Sequence, residues 1–170
     1  MKNKYILTGG PGSGKSSIIN YLEIIERYKV IREAAEDYIK LRQALGVKEP
    51  WREEDFQEKI FWLQFRREAD IYNKFTPVFI DRGLYDGLAY EKNPEMYANL
   101  RKLLIGKKYH KIFLIEHPGK METNEIRRED VERALEIEKK LEEIYASVGK
   151  VIKIPFGPLD WRVKLILKNI

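Results

Sequence analysis

Residues 9–16 read G-G-P-G-S-G-K-S and directly follow the apolar run Tyr5-Ile6-Leu7. Backbone N–H groups can enclose a polyanion only where no side chain intrudes, and Gly9, Gly10, Gly12 and Gly14 leave that room. Pro11 stiffens the turn. The spacing is that of a phosphate-binding loop, G-x-x-x-x-G-K-[ST], set between a strand and a helix. A helix beginning near Lys15 aims its free N–H groups and positive dipole end at the same phosphates. Lys15 is expected at the β- and γ-phosphates, and the Ser16 hydroxyl on Mg²⁺. Ser13 and Ser17 complete the expected nucleotide-binding stretch.

Two further clusters are expected at the same edge. Arg32-Glu33 stands at the end of the short run Lys29 to Arg32, and Asp81-Arg82-Gly83 follows Val78-Phe79-Ile80. Asp81 is the expected partner of the Mg²⁺ region, directly or through a water, because phosphoryl transfer builds charge that a metal and cations must neutralise. Arg82 offers a planar fork to a phosphate or to oxygens in flight. Glu33 is placed to orient or deprotonate an acceptor hydroxyl. The plainer alternatives are an Asp81–Arg82 pair and a Glu33 that only caps the next helix.

Positions 117–130 have the placement of a lid, with Arg127 and Arg128 able to close over phosphates and exclude water. Two solvent-exposed helix arginines are the alternative reading. The loop Pro155-Phe156-Gly157-Pro158 is expected near the base of the nucleotide, with Phe156 stacked there or simply packed. Trp51, Phe56, Phe61, Trp62, Gln64, Phe65 and Tyr85 are the expected acceptor wall, Trp62 and Phe65 foremost. His110 and His117 have no second ligand at metal spacing, so no transition-metal site is expected.

The elements that must position these residues are legible in the apolar periodicity. Strands are expected at 4–8, 29–32, 78–80, 112–115 and 151–154. Helices are expected at 15–26, 34–45, 56–75, 84–90, 94–105, 130–148 and 159–170. The inward faces carry Ile18, Ile19, Leu22 and Ile25 in the first, and Phe56, Ile60, Leu63 and Ile71 in the third. In the helix before the last strand they carry Val131, Leu135, Leu141, Tyr145 and Val148. Alternating strands and helices imply parallel βαβ units with right-handed crossovers, hence an α/β three-layer αβα sandwich on a five-stranded parallel sheet. Ligands then lie at the carboxyl edge of the strands, where every cluster above falls.

The bulk numbers agree. The 170 residues suit one domain spanning 1–170, and a hydrophobic fraction of 44% suits a globular protein. Charged residues reach 35%, a blend that fits the surface ion-pair networks of thermophiles. The net charge of +5 is spread among glutamates, as in Arg52-Glu53-Glu54, which argues against a nucleic-acid face. No cysteine, leader-like apolar run or membrane-length segment is visible, so a cytoplasmic location is expected.

Together these residues resemble the AAA-like ATPase/kinase family of P-loop domains. That family includes the ribosylnicotinamide kinase domain of bifunctional NAD regulators and lies near the thymidylate-kinase-like kinases. The shared pattern covers almost the whole chain: I-L-T-G-G-P-G-S-G-K-S (6–16), R-E-A-A-E-D-Y-I (32–39), Pro50-Trp51, Phe56-Gln57, V-F-I-D-R-G-L-Y-D-G-L-A-Y (78–90), E-I-R-R-E (125–129) and I-P-F-G-P (154–158). The glycine loop is common to many families, whereas the E-A-A and D-R-G-L-x-D stretches are more specific. The resemblance implies a P-loop NTPase fold of nucleoside- or nucleotide-kinase type, and ATP or GTP with Mg²⁺ at Lys15 and Ser16. It also implies a metal or phosphate role for Asp81 and Arg82, and lid roles for Arg127 and Arg128. Asp86 falls on the second acidic position of D-R-G-x-x-D, with no role attached.

The reading these features favour is a Mg²⁺- and nucleoside-triphosphate-dependent phosphotransferase. Its acceptor is a small hydroxylated molecule, nucleosides among the candidates. A second reading is a nucleotide-binding switch or weak NTPase that signals to a partner protein or phosphoinositide. A third is a kinase of nucleic-acid ends, which would need a basic track leading to the crevice.

Overall fold

The computed structural model describes residues 3–71, 77–107, 109–119 and 125–170, the side chains of 125–130 excepted. Five strands form one sheet: β1 (Lys4–Thr8), β2 (Lys29–Ile31), β3 (Val78–Asp81), β4 (Lys111–Ile115) and β5 (Val151–Ile154). Their spatial order is β2-β3-β1-β4-β5, and every neighbouring pair is parallel. The helices are α1 (Lys15–Ile24), α2 (Ala34–Ala44), α3 (Phe56–Ala69), α4 (Asp86–Tyr90), α5 (Pro94–Leu103), α6 (Glu125–Ala146) and α7 (Leu159–Leu167). A single 3₁₀ turn, Pro50–Arg52, precedes α3.

Alternation along the strands splits the core in two. Tyr5, Leu7, Phe79, Phe113 and Ile115 point to one face, where α1 contributes Ile18, Ile19 and Leu22 and α7 contributes Val163 and Ile166. Ile6, Ile80, Ile112 and Leu114 point to the other, where Phe61 of α3, Leu88 of α4, Leu100 of α5 and Ile137, Leu141 and Tyr145 of α6 close over them. This is the expected three-layer sandwich. Phe79, Phe113 and Tyr145 are fully buried, each worth on the order of 1.5–3 kcal/mol of transfer free energy. The register sets Leu7 beside Asp81 and Thr8 beside Leu114. The carboxyl ends of β3, β1 and β4 therefore form one edge, with the glycine loop rising from its middle.

Several helix faces differ from the sequence reading. Ile25 lies beyond the end of α1 and is exposed. On α6 the buried stripe is Ala134, Ile137, Leu141 and Tyr145; Leu135 stands about 100° round the helix from Ala134 and is exposed. That helix begins at Glu125, not 130, and α4 begins at Asp86, not 84. Described helix in α3 ends at Ala69, and positions 72–76 of the expected helix lie outside the described residues.

The buried face of α3 is Phe56, Phe61, Gln64 and Glu68, while Ile60 and Leu63 are half-buried. Two polar residues occupy core positions and are tied there by hydrogen bonds, although Gln64 Oε1 has no partner. Gln64 Nε2 donates to Glu68 Oε1 at 3.2 Å and to the Arg82 carbonyl at 3.0 Å. The Tyr109 hydroxyl donates to Glu68 Oε1 at 3.1 Å and accepts from the Leu84 N–H at 2.9 Å. Burial pushes the Glu68 carboxyl up to about 7, against the opposing pull of Gln64, Lys4 and Tyr109.

The unfolded chain carries Glu68 at an ordinary value of about 4.3, so the folded state retains a proton that the unfolded state loses between there and about 7. The stability this group contributes is complete below the lower value and is lost as pH rises through the upper one. Glu68→Gln keeps an oxygen to accept both bonds and removes the ionisation. Its melting temperature relative to wild type should therefore rise by several degrees between about pH 5 and about pH 8.5. A difference that stays constant across that range would show that Glu68 does not titrate there.

Candidate active site

The glycine loop is shaped by two close approaches. A Cβ on Gly9, whose φ is +148°, would lie 2.4 Å from the Ile115 carbonyl oxygen at the end of β4. A Cβ on Gly10 would lie 2.4 Å from the Ala134 carbonyl oxygen of α6. Any side chain there would drive the loop off the sheet or off α6. Beyond the loop, Gly14 N-caps α1 and no side chain caps the helix. The first-turn N–H groups of Lys15, Ser16 and Ser17 thus have no intrahelical carbonyl to serve, the arrangement that receives anions. Ser16 and Ser17 are exposed on that turn, as are Pro11 and Gly12 in the loop.

Lys15 is buried and folded back on the loop. Its Nζ donates to the carbonyls of Gly9 (2.8 Å) and Gly10 (2.9 Å) and to Ser13 Oγ (3.2 Å). Burial, helped by Arg82, lowers its pKa. Asp81 is also buried, and burial with Glu33 nearby raises its carboxyl, against Lys15 and Arg82. Asp81 Oδ1 has no hydrogen-bond partner. A buried carboxylate oxygen left open beside a cradle of free amides fits a divalent cation arriving with a polyphosphate.

Arg82 adopts a left-handed backbone, φ +62°. Its N–H donates to Leu7 O at 3.1 Å and its carbonyl accepts from Gln64. Arg82 Nη1 donates to the Tyr90 hydroxyl at 2.7 Å, and the guanidinium lies 5.1 Å from the Tyr90 ring centroid. Glu33 Oε1 is 3.0 Å from Arg82 Nε, an ion pair by distance whose N–H is not aligned on the oxygen. Asp86 Oδ1 is 3.6 Å from Nη1. Burial works against this cation, and Glu33, Tyr90 and Asp86 outweigh it, holding the guanidinium above its usual value. Arg82 pairs with Glu33 and Asp86, with no Asp81–Arg82 ion pair among the described residues. Glu33 occupies the N-cap position of α2 but makes no side-chain cap bond.

Beside these groups opens a cavity of about 630 Å³. Pro11 of the glycine loop, Glu33, Arg82 and Asp86 line its inner end; Trp51, Phe56, Phe61 and Gln64 line its wall. Three members of the expected wall are elsewhere. Trp62 is exposed with its indole N–H on Glu58, and Phe65 packs against Phe61 and Trp62. The Tyr85 hydroxyl turns away to the carbonyls of Leu104 and Lys107. Helical rotation explains the first two: Phe61 and Gln64, three apart, face the cavity, whereas Trp62 and Phe65 are each one residue further round.

The side chains of Arg127 and Arg128 and positions 120–124 of the expected lid lie outside the described residues; the backbone of both arginines is in the first turns of α6. Phe156 is exposed, its ring centroid 5.8 Å from the Arg162 guanidinium.

Sequence reasoning missed three neighbours of the loop. Arg162 of α7 is buried and donates Nη2 to Ser13 O at 2.9 Å. His117 brings Nε2 to 3.2 Å from the position of a Cβ on Gly12, while its Nδ1 accepts from Gly119 N–H at 3.1 Å. Burial and the nearby Lys15 lower its pKa, favouring the neutral ring with its proton on Nε2. Arg133 of α6 lines the cavity next to Pro11. His117 alone had a signal, its place at the end of β4.

The AAA domain family model matches residues 4–162. No curated protein matches the chain. Among solved structures, deoxyadenosine kinase from M. mycoides, with products dCMP and a flexible dCDP bound, superposes with a TM-score of 0.67 at 11% identity, over 98% of this chain and 97% of that one. The NadR protein in complex with NAD and AMP-PNP gives 0.67 at 18% identity, over 98% of this chain but 49% of NadR, so the chain spans about half of that protein. Thymidylate kinase from Ehrlichia chaffeensis gives 0.64 at 15% identity, over 99% and 98% of the two chains. At these identities the likeness is one of fold, that of P-loop kinases.

The Gly10–α6 contact gives a direct check. Gly10→Ala should lower stability by about 1–3 kcal/mol, seen as a fall of several degrees in the thermal midpoint, because backbone rather than a mobile side chain blocks the methyl group. An unchanged midpoint would mean the loop does not rest on Ala134.

Proposed function

The chain belongs to the AAA-domain family, and from that premise we propose that it is a nucleoside-triphosphate- and magnesium-dependent phosphotransferase acting on a small hydroxylated acceptor, nucleosides among the candidates. The observation that carries this reading is the cavity that joins Pro11 of the glycine loop to the Glu33–Arg82 pair and to an aromatic wall. Hydrolysis needs room only for water, whereas about 630 Å³ suits a small organic molecule. The cavity's carboxylates Glu33, Glu53, Glu54, Asp86 and Glu91 are mixed with Arg52, Arg82, Lys92 and Arg133, a lining without the continuous basic track that a nucleic-acid end would need. None of the described helices is long and apolar enough to cross a membrane, and the proposed place of work is the cytoplasm.

In this reading the first-turn amides of α1 hold the phosphates of ATP or GTP, and Lys15 exchanges its loop carbonyls for the β- and γ-phosphates. Ser16 and Asp81 are the residues that would hold magnesium, Asp81 directly or through a water, and the ion would neutralise phosphate charge. Glu33 takes the proton of the acceptor hydroxyl as its oxygen bonds the γ-phosphorus. The bond to the bridging oxygen then breaks, and a nucleoside diphosphate leaves. Arg82 meets the charge on the transferring group, and Arg127 and Arg128 close the lid. Phe156 is proposed to lie against the base.

A panel of nucleosides and sugars offered with labelled ATP or GTP and magnesium tests the proposal. Transfer to at least one hydroxyl compound is expected. Phosphate release at a rate no acceptor alters would replace transfer with the switch or NTPase reading. Asp81→Asn should slow transfer by about 100-fold or more while triphosphate still binds, as expected where a charge is met mainly in the transition state. Lys15→Ala should instead abolish tight triphosphate binding by calorimetry. Wild-type transfer in the first variant, or wild-type affinity in the second, would remove that residue from its role.

A further inference from the structure

Asp86 takes part in none of the transfer steps above, yet it is the most connected carboxylate among the described residues near the cavity. It is the first residue of α4 and is 3% exposed. Its Oδ1 accepts from Thr8 Oγ1 at 2.8 Å, and its Oδ2 accepts from the Gly83 N–H at 2.9 Å and from the Tyr145 hydroxyl. Arg82 Nη1 stands 3.6 Å from Oδ1. These partners come from three places. Thr8 ends β1 immediately before the glycine loop, Arg82 and Gly83 form the turn after β3, and Tyr145 sits deep on α6, the helix whose Ala134 touches Gly10.

A buried carboxylate is a poor way to gain stability, since an apolar side chain of similar volume often serves as well or better. It can, however, fix geometry. Arg82 keeps a left-handed backbone that is costly for a non-glycine residue, and such a conformation persists only where neighbours over-determine it. Asp86 grips the next N–H along the chain, Gly83, and faces the guanidinium at the same time. Glu33, the other counter-charge, is 25% exposed and lines the cavity, within reach of an acceptor. Once Glu33 turns to a hydroxyl, Asp86 is the anion that stays with Arg82.

We propose that Asp86 is a positioning residue for phosphoryl transfer, tying Arg82, the strand that feeds the glycine loop and α6 into one unit so that the guanidinium meets the phosphoryl group in flight. The inference rests on the phosphotransferase reading. It gives the second acidic residue of D-R-G-x-x-D a role, exerted through Arg82 and without contact to the nucleotide.

The test is the binding of MgADP with and without aluminium fluoride, which mimics a phosphoryl group in transfer, measured by calorimetry. In the wild type, aluminium fluoride should tighten MgADP binding. Asp86→Asn should keep the affinity for MgADP alone within about threefold and lose at least about tenfold of the tightening, the scale of a misplaced catalytic group. In an Arg82→Lys background, itself short of the planar fork, Asp86→Asn should add no further loss. Tyr145→Phe keeps the ring and its packing and should show a smaller loss in the same direction.

A folded Asp86→Asn variant with full tightening overturns the proposal. So does a loss that multiplies with Arg82→Lys, or one matched by weaker MgADP binding, since either marks general structural damage. Should Asp86→Asn fail to fold, Tyr145→Phe decides alone, and full tightening there overturns the proposal. Absence of tightening in the wild type removes the phosphotransferase reading and this inference with it, an outcome distinct from a wild-type gain that Asp86→Asn retains.

Discussion

The arrangement depends on one guanidinium drawn largely out of water at the end of β3. The Arg82 side chain is 15% exposed, and a cation in that position is costly unless its donors and charge are met. Glu33 and Asp86 meet the charge and Tyr90 takes Nη1, from the start of α2 and the two ends of α4, while Nε has no aligned acceptor. The backbone of the same residue is held by Leu7 of β1 and Gln64 of α3, and its following turn by Asp86 and Tyr109. Helices α2, α3 and α4 and strands β1 and β3 are thus fitted around one residue. The central position of β1 and β3 in the sheet follows the same need, since only adjacent strands bring Leu7 and Asp81 into register.

Much of this was legible before the fold. Glycines at fixed spacing after Tyr5-Ile6-Leu7 read as a phosphate loop, and short apolar triplets such as Val78-Phe79-Ile80 read as strands because both their faces are covered. The position of Arg82 and Glu33 at the same edge then followed from parallel topology. What was not legible has a common cause. Glu68 and Asp86 are polar residues buried through partners distant in sequence, and hydrophobic periodicity assigns such residues to the surface. Arg162 reaches Ser13 across 149 positions, a contact that no local pattern announces. Leu135, Trp62 and Phe65 erred in the opposite sense: each is apolar, each lies one residue from the inward position, and a single residue turns a helix by about 100°.

The glycine loop and the arginine turn are both seated against α6. Gly10 leaves no room for a side chain against the Ala134 carbonyl, and near the other end of α6 the Tyr145 hydroxyl reaches the carboxylate beside Arg82. One helix thus touches the glycine loop at one place and the arginine's counter-ion at another, in a close-packed interior. The lid residues expected at Arg127 and Arg128 belong to the first turns of that helix.

Electrostatics adds a second constraint on the loop. Burial disfavours the charge of Lys15 and of Asp81, the two groups of opposite sign on either side of the first-turn amides. Lys15 commits its three donors to Gly9, Gly10 and Ser13, while Asp81 leaves an oxygen without any partner. On the phosphotransferase reading, a polyphosphate with a divalent cation would supply the missing opposite charge to both at once, which neither ligand would do alone. The carbonyls that hold Lys15 belong to Gly9 and Gly10, the residues pressed against β4 and α6, so the lysine is anchored to the same two residues that seat the loop.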